Sequence, residues 1–331
     1  MRILIASPEP DTSDYGNGVT ARRWARILTG LGHEVRVSLA YDEAPYDLLV
    51  ALHAGKSAEC VRLFAARRPG LPIVIGLTGT DLYPDFETSG VDRAVLDLAF
   101  RFVTLQELGA LQLPPELRHR ARVITQSLPP AVAPDAASTP RTDCFEIAVL
   151  AHARPVKDPL LPAQAVRMLP AASRIRLSHA GGARDDGMLR QLTEESAANP
   201  RYTWLGPLPR GEALSLLARS RLLVLSSRHE GGANVVTEAL ALGVPVLSTR
   251  IPGSTGLLGA DYPGYYPVGD AAALAAALTA AEENRDGFLD RLRAHCRDLA
   301  FLADPDRERD AWADLLAELR AEVPPAAVTA S

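Results

Sequence analysis

Ser226-Ser227-Arg228-His229-Glu230-Gly231-Gly232-Ala233-Asn234-Val235-Val236-Thr237-Glu238-Ala239 is the stretch from which the fold is read. The apolar run Arg221-Leu222-Leu223-Val224-Leu225 before it reads as a buried parallel strand. Ala239-Leu240-Ala241-Leu242 after it reads as a helix stopping at Gly243. A strand, a glycine turn and a helix in that order carry Gly231 in the turn and the amides of Gly232, Ala233, Asn234 and Val235 at a helix N-terminus. Such amides, reinforced by the helix dipole, attract an anion. Glu238 falls about one turn inside that helix, where it can accept hydrogen bonds from vicinal hydroxyls such as those of a ribose. Glu230 stands before the turn and can face a sugar. The plain alternative is two surface acids flanking an ordinary turn.

Outward from this stretch, short apolar runs alternate with helical patterns. In the first half they are Ile3 to Ala6, a helix from about Val19 to Leu31, then Val35 to Leu39, Leu48 to Leu52, Ile73 to Leu77, Phe102 to Leu105 and Val123 to Thr125. In the second half they are Ile147 to Leu150, Ile175 to Leu177, Tyr202 to Leu205, Leu222 to Leu225 and Val244 to Leu247, with helices over Ala271 to Glu282, Arg285 to Leu299 and Asp306 to Leu319. This is the rhythm of parallel sheets with crossover helices, an α/β class of fold. Prolines and small residues interrupt it between Pro129 and Pro140, so the chain divides into a first domain over 1–128, a linker over 129–142 and a second domain over 143–304. A last helix covers 305–323, and the tail 324–331 is expected to fray. Two Rossmann-like units facing a cleft follow, with ligands beyond the carboxyl ends of the strands.

The chain has 331 residues, 47% apolar and 23% charged, which is a folded, globular composition. A net charge of -5 argues against a nucleic-acid groove as the main function. Cys60, Cys144 and Cys296 are odd in number and scattered, fitting neither a disulfide framework nor a zinc site, and a reducing cytoplasm suits them. No leader pattern opens the chain and no apolar run reaches about 18 residues, so neither export nor membrane spanning is expected. A nicotinamide-binding site is disfavoured, because Gly16-Asn17-Gly18 has no third glycine three residues on and Asp42 is a poor substitute for the whole fingerprint.

The glycine-turn segment resembles the E-x7-E motif of retaining family-4-type glycosyltransferases with the two-Rossmann GT-B fold. Ala241-Leu242-Gly243-Val244-Pro245-Val246-Leu247, Met1-Arg2-Ile3-Leu4-Ile5 and Leu31-Gly32-His33-Glu34-Val35 extend the likeness, and Leu205-Gly206-Pro207-Leu208 lies where that family holds the base. Four further segments are similar to the selenosugar synthase family: Gly16 to Ala25, Leu77 to Tyr83, Arg154 to Pro159 and Leu258 to Tyr265. The resemblance implies a UDP-sugar donor, with the last helix returning to the first domain and no metal or other cofactor. The narrower resemblance implies selenophosphate as acceptor, and the charge and hydropathy read above lead to the expectation of no nucleic-acid or membrane partner.

Lysine occurs only at Lys56 and Lys157 in a chain that otherwise uses arginine, so a lysine in a candidate phosphate site points to a need for a compact ammonium. Lys157 is the first expected diphosphate contact and Arg154 the second, stabilising the departing diphosphate. The resembled family places an arginine five residues before the lysine. Here that position is His152, so either Arg154 substitutes or His152 contributes a donor. Gly181, in the loop after the Ile175 to Leu177 strand, is a further expected nucleotide contact, and His179 just before it could touch the nucleotide through the same loop. Gly16, Asn17, Gly18 and Thr20, with Arg22 and Arg23 one turn along, form an anionic-acceptor site. Thr80 and Asp81 end one strand and join that acceptor site. His53 ends another, where the family's histidine reaches the donor sugar.

The two resemblances together imply transfer from UDP-N-acetylglucosamine or UDP-glucose to selenophosphate, releasing UDP and phosphate, with Glu230, His53, Arg154 and Lys157 at the reacting end. Two alternatives stay open on the sequence: the same enzyme class with a hydroxyl acceptor, and a nucleotide-sugar sensor that does not turn over.

Overall fold

A computed structural model describes residues 1–10, 12–13, 15–83, 90–129 and 141–322. Most of the expected linker and the expected tail lie outside the described residues. In chain order the first part holds β1 (Arg2–Ala6), α1 (Gly16–Gly30), β2 (Glu34–Ser38), β3 (Leu48–Leu52), α2 (Ala58–Arg67), β4 (Ile73–Leu77), α3 (Arg93–Asp97), β5 (Arg101–Thr104) and β6 (Ala121–Val123). The second holds β7 (Phe145–Leu150), α4 (Leu161–Arg167), β8 (Ile175–Ala180), α5 (Asp186–Ala198), β9 (Tyr202–Gly206), α6 (Arg210–Arg219), β10 (Leu222–Leu225), α7 (Asn234–Ala241), β11 (Val246–Thr249), α8 (Pro252–Leu258), β12 (Tyr265–Tyr266), α9 (Ala271–Glu282) and α10 (Phe288–Asp298). A last helix, α11 (Pro305–Glu322), follows.

The chain forms two compact units, residues 1–126 with 306–331, and residues 127–305. Each is built on a six-stranded sheet, ordered β2-β1-β3-β4-β5-β6 in the first unit and β12-β11-β10-β7-β8-β9 in the second. The strand pairs are parallel in both sheets. Two Rossmann-like α/β units are thus in place, and each sheet has a switch point where the strand order reverses, β1/β3 in the first and β7/β10 in the second.

The first unit shows why its strands lack the alternation of half-buried strands. Along β3, Leu48, Val50 and Leu52 enter one apolar cluster while Leu49 and Ala51 enter another, so side chains of period two fill both faces. One face is covered by α2 and α3 through Val61, Phe64, Val95 and Leu96. The other is covered by α1 and α11 through Trp24, Leu28, Trp312, Leu315, Leu316 and Leu319. The rings of Trp24 and Trp312 meet edge-on at 4.8 Å. Gly76 in β4 makes room, since a Cβ there would stand 2.9 Å from the Trp24 ring. Polar contacts seat the same helix: Glu308 accepts the Trp24 indole N–H at 3.1 Å and lies 3.3 Å from Arg23. Arg101 reaches Glu318 at 2.8 Å and Glu322 at 2.6 Å.

Several boundaries differ from the sequence reading for identifiable reasons. Helix α1 starts at Gly16, three residues before Val19, because Gly18 lets Pro10 and Ser13 approach the first helical turn; a Cβ there would stand 2.6 Å from the Ser13 carbonyl oxygen. The helix expected from Arg285 is broken: Asn284, Asp286 and Gly287 adopt left-handed backbone, which Asn, Asp and glycine enter more readily than other residues, and α10 begins only at Phe288. Strand β6 ends at Val123, where the apolar run had placed its start.

Truncating Trp312 to Ala leaves an indole-sized void against Trp24 and is expected to cost about 3–5 kcal/mol, with Trp312→Phe milder. Urea unfolding followed by tryptophan fluorescence checks it; a Trp312→Ala protein as stable as the wild type would mean α11 is not seated by this ring.

Candidate functional site

The residues picked out in the second unit gather where loops leave the carboxyl ends of β7, β8, β9 and β10, around the β7/β10 switch point. The loops after β7 and β10 are tied together by backbone. The Arg228 N–H donates to the Val156 carbonyl at 2.8 Å, and the Ser226 hydroxyl donates to the Lys157 carbonyl at 2.8 Å. Asp158, in left-handed backbone, turns the β7 loop back and accepts from Arg228 at 2.7 Å. This geometry brings Lys157 and Glu230 into an ion pair. The sequence reading had sent the ammonium to a diphosphate and the carboxylate to a sugar; here each holds the other. Glu230 also accepts from the Ser227 hydroxyl at 2.5 Å, and the Ser227 carbonyl accepts from Thr249 at 2.6 Å, so the carboxylate is fixed from β10 and β11. Gly253 presses on the Glu230 backbone, where a Cβ would come within 2.1 Å of its carbonyl oxygen.

After the turn, α7 begins at Asn234 with no acidic residue in its first turn to oppose an incoming anion. Gly231 and Ala233 are buried in the turn, while Gly232, Asn234 and Val235 are half-buried. Glu238, with only 6% of its side chain exposed, accepts from Arg210 at 2.7 Å. Sequence reasoning missed Arg210. The signal was available: a cation at the first position of a helix opposes the helix dipole, so its reason for being there lies elsewhere.

Arg154 carries a buried Nε with no hydrogen-bond partner among the described residues, a donor whose desolvation is uncompensated until an acceptor arrives. His152 accepts the Gly182 N–H on Nδ1 at 3.0 Å, leaving Nε2 as the donor of the neutral ring. Gly181 is where the β7 and β8 loops approach most closely: a Cβ would stand 1.9 Å from the Ala151 carbonyl oxygen, and φ is +154°. Its N–H donates to the Gly206 carbonyl at 2.8 Å and its own carbonyl accepts from Trp204 at 2.9 Å, which fixes the loop at the end of β9. Leu205 beside it is 39% exposed and Gly206 has φ +70°.

His179 is not a ligand contact. It is fully buried, with Nδ1 accepting from the Tyr202 hydroxyl at 2.9 Å and Nε2 donating to the Ala151 carbonyl at 2.9 Å. Burial lowers its pKa to about 4.

In the first unit the expected acceptor residues separate. Arg23 is 3% exposed and faces Glu308 in the core, which removes it from any acceptor site. Arg22 is half-buried and donates to the Ser13 carbonyl at 2.7 Å, holding the turn before α1. Thr20 donates to the Gly16 carbonyl at 2.9 Å and accepts from Gln126 at 2.7 Å, so its hydroxyl is engaged inside the unit. Gly16 is exposed, Asn17 half-buried and Gly18 buried, all in the first turn of α1.

Asp81 is completely buried and accepts from the backbone N–H groups of Ala54 at 3.0 Å, Thr78 at 3.0 Å and Gly79 at 2.7 Å. It ties the β3 and β4 loops together rather than reaching outward. His53, in left-handed backbone at φ +68°, is held by that tie. Its Nδ1 accepts the Lys56 N–H at 3.2 Å, so the neutral ring carries its proton on Nε2 and donates to Thr80 at 2.9 Å. Burial lowers the His53 pKa, partly offset by Asp81. Thr80, accepting from His53, keeps its own proton to donate.

Among the described residues, no three His, Cys, Asp or Glu side chains gather as a metal ligand set, and no helix is long and apolar enough to cross a membrane.

The His179 pKa gives a pH dependence with a definite sign. The unfolded histidine, near 6.5, takes up a proton before the buried one, so the stability from the neutral ring is complete above about pH 6.5. It is lost as pH falls from there toward 4, with a span of about 3 kcal/mol. The stability difference between wild type and His179→Gln, measured by urea unfolding at pH 7 and pH 4.5, should shrink over that interval. A constant difference would show that the buried ring does not resist protonation.

The family model for glycosyl transferases group 1 matches residues 135–300, just over half of the chain. Among solved structures, HepE of Anabaena in complex with UDP and glucose is 16% identical, covering 96% of this chain and 100% of its own at a TM-score of 0.74. Sucrose-phosphate synthase from Thermosynechococcus elongatus is 15% identical over 97% of this chain and 99% of its own, with a TM-score of 0.78. A glycosyltransferase from Rickettsia africae is 13% identical over 97% and 99%, with a TM-score of 0.76. At these identities the likeness is one of fold, the two-Rossmann GT-B arrangement.

Proposed function

Because this chain belongs to the group 1 glycosyl transferases, we propose that it grips a UDP-sugar on its second unit and transfers the glycosyl group to selenophosphate. The observation that carries the donor half is the buried Glu238 carboxylate in α7, whose first turn has no acidic residue, with Arg154 and Lys157 on the adjoining loop. The carboxylate suits ribose hydroxyls, and the helix start, the unpartnered Arg154 Nε and the Lys157 ammonium suit a diphosphate. The complexes of HepE with UDP and glucose and with UDP-glucose support the choice of UDP and of glucose; N-acetylglucosamine is the other hexose that the resemblance implies.

Charge accumulates on the diphosphate as the anomeric bond breaks, so Lys157 and Arg154 stabilise the transition state more than the ground state, and the reaction proceeds without a metal ion. The arriving diphosphate takes Lys157 from Glu230, which turns to a sugar hydroxyl. Selenophosphate supplies a nucleophile that is already anionic, so no general base is needed. Selenium bonds to the anomeric carbon as the carbon–oxygen bond to UDP breaks, and water then splits selenium from phosphorus to release phosphate. The selenophosphate reading is supported by the four segments similar to selenosugar synthases, and Arg22 is the arginine it retains. The three cysteines, all buried and unpaired, suit a cytoplasmic setting.

UDP release is to be measured for UDP-glucose and UDP-N-acetylglucosamine with selenophosphate, thiophosphate and simple alcohols, with and without EDTA. The expected result is EDTA-insensitive release with selenophosphate, matched by a selenium-bearing sugar in the mass spectrum. Release with alcohols but never with selenophosphate leaves the glycosyltransferase and removes its proposed acceptor. UDP binding without release under any condition is the outcome of a sensor.

The ion pair sets a further expectation. Lys157→Ala should lower kcat more than it raises KM, whereas Glu230→Gln, which releases the ammonium, should bind UDP at least as tightly as wild type while turning over slowly. Weaker UDP binding in a folded Glu230→Gln protein would contradict this exchange.

A further inference from the structure

We infer that Arg210 is a positioning residue for nucleotide binding, holding one oxygen of Glu238 so that the other meets the ribose. This rests on the donor site proposed above, and goes beyond it by adding a residue outside the motif.

Three features of the pair lead there. Glu238 has 6% of its side chain exposed and sits inside α7, so its charge needs a partner, and Arg210 is its side chain's partner among the described residues. The contact is a single N–H donated to Oε1 at 2.7 Å rather than a two-pronged one, which leaves Oε2 able to accept from a ligand. Arg210 is also poorly placed for any local purpose. It is the first residue of α6, after a Pro209 cap that makes no side-chain bond, where the helix dipole repels a cation and Glu212 offsets part of that repulsion.

The path from β9 explains how the guanidinium gets there. Gly206, at φ +70°, turns the chain out of the strand. Pro207 and Pro209 stiffen the short connection that follows, so Arg210 starts α6 at the carboxyl end of the sheet. Its side chain is 26% exposed, which leaves it anchored at the rim of the site while its head reaches the buried acid. A guanidinium bound to one oxygen fixes the carboxylate plane. In a long, unanchored glutamate that orientation would be chosen only on binding, at an entropic cost to affinity.

The test uses the full chain and calorimetric binding of UDP and 2′,3′-dideoxy-UDP, with melting temperature as a control for folding. Wild type should prefer UDP by about tenfold or more, the strength of a charge-assisted hydrogen bond to ribose. Arg210→Ala should bind UDP about tenfold more weakly and lose most of that preference, with Arg210→Lys intermediate. In the double variant Arg210→Ala/Glu238→Ala, UDP affinity should match that of Glu238→Ala alone, because Arg210 acts through the glutamate. Turnover of a UDP-sugar should show the change in KM, with kcat within about threefold. If Arg210→Ala fails to fold, Arg210→Gln is read in the same assays. Retention of the full ribose preference in a folded Arg210 variant overturns the inference and leaves the donor site intact. A wild type with no ribose preference overturns the donor-site reading itself, and this inference with it.

Discussion

The tie between the loops after β7 and β10 is the constraint on which the candidate site depends. At the switch point of a doubly wound sheet the connections leaving adjacent strands run to opposite faces, which opens a crevice between them. The Arg228 amide on Val156, the Ser226 hydroxyl on Lys157 and the left-handed turn at Asp158 close it. The consequence is chemical as well as structural. An ammonium and a carboxylate are placed in contact on two different loops, each already desolvated and oriented, where a diphosphate and a sugar are proposed to replace their mutual partner.

The second unit carries a set of acid–base pairs in which the acid is the more buried member. Glu238 is held by Arg210 and Glu230 by Lys157, with side-chain exposures of 6% and 11% for the acids against 26% and 19% for the bases. Such pairs contribute little net stability, since desolvation offsets most of the attraction, but they prevent either carboxylate from being buried alone. In the first unit the same device serves the core: Glu308 joins Arg23 and Trp24 beneath α11. Identical chemistry therefore marks a candidate site in one unit and a helix-docking contact in the other, and only the surroundings distinguish them.

Much of the architecture was legible from pattern. Runs such as Leu48 to Leu52 and Ile73 to Leu77, apolar at every position, can be buried only on both faces, and that requirement produces parallel strands between helix layers. Strand–glycine–helix order located the turn before α7. The errors have two sources: a close contact at Gly18 allows the early start of α1, whereas the break before α10 comes from left-handed backbone at Asn284, Asp286 and Gly287 that the apolar pattern does not register.

The sequence by itself determined two α/β halves, the E-x7-E segment at a helix start, and the presence of Lys157 and Arg154 on a loop after a strand, because periodicity and turn chemistry are local properties. Only the tertiary structure decided partners. Arg22 and Arg23 are neighbours in sequence and equivalent in charge, yet the helical rotation between them turns Arg23 inward to Glu308 and leaves Arg22 on the Ser13 carbonyl. His179 read as a possible nucleotide contact and is a buried strut, while Arg210, to which the sequence reading assigned nothing, holds the motif glutamate from 28 positions away. Charge and residue type are written in the chain, but the direction a side chain faces depends on which elements pack beside it.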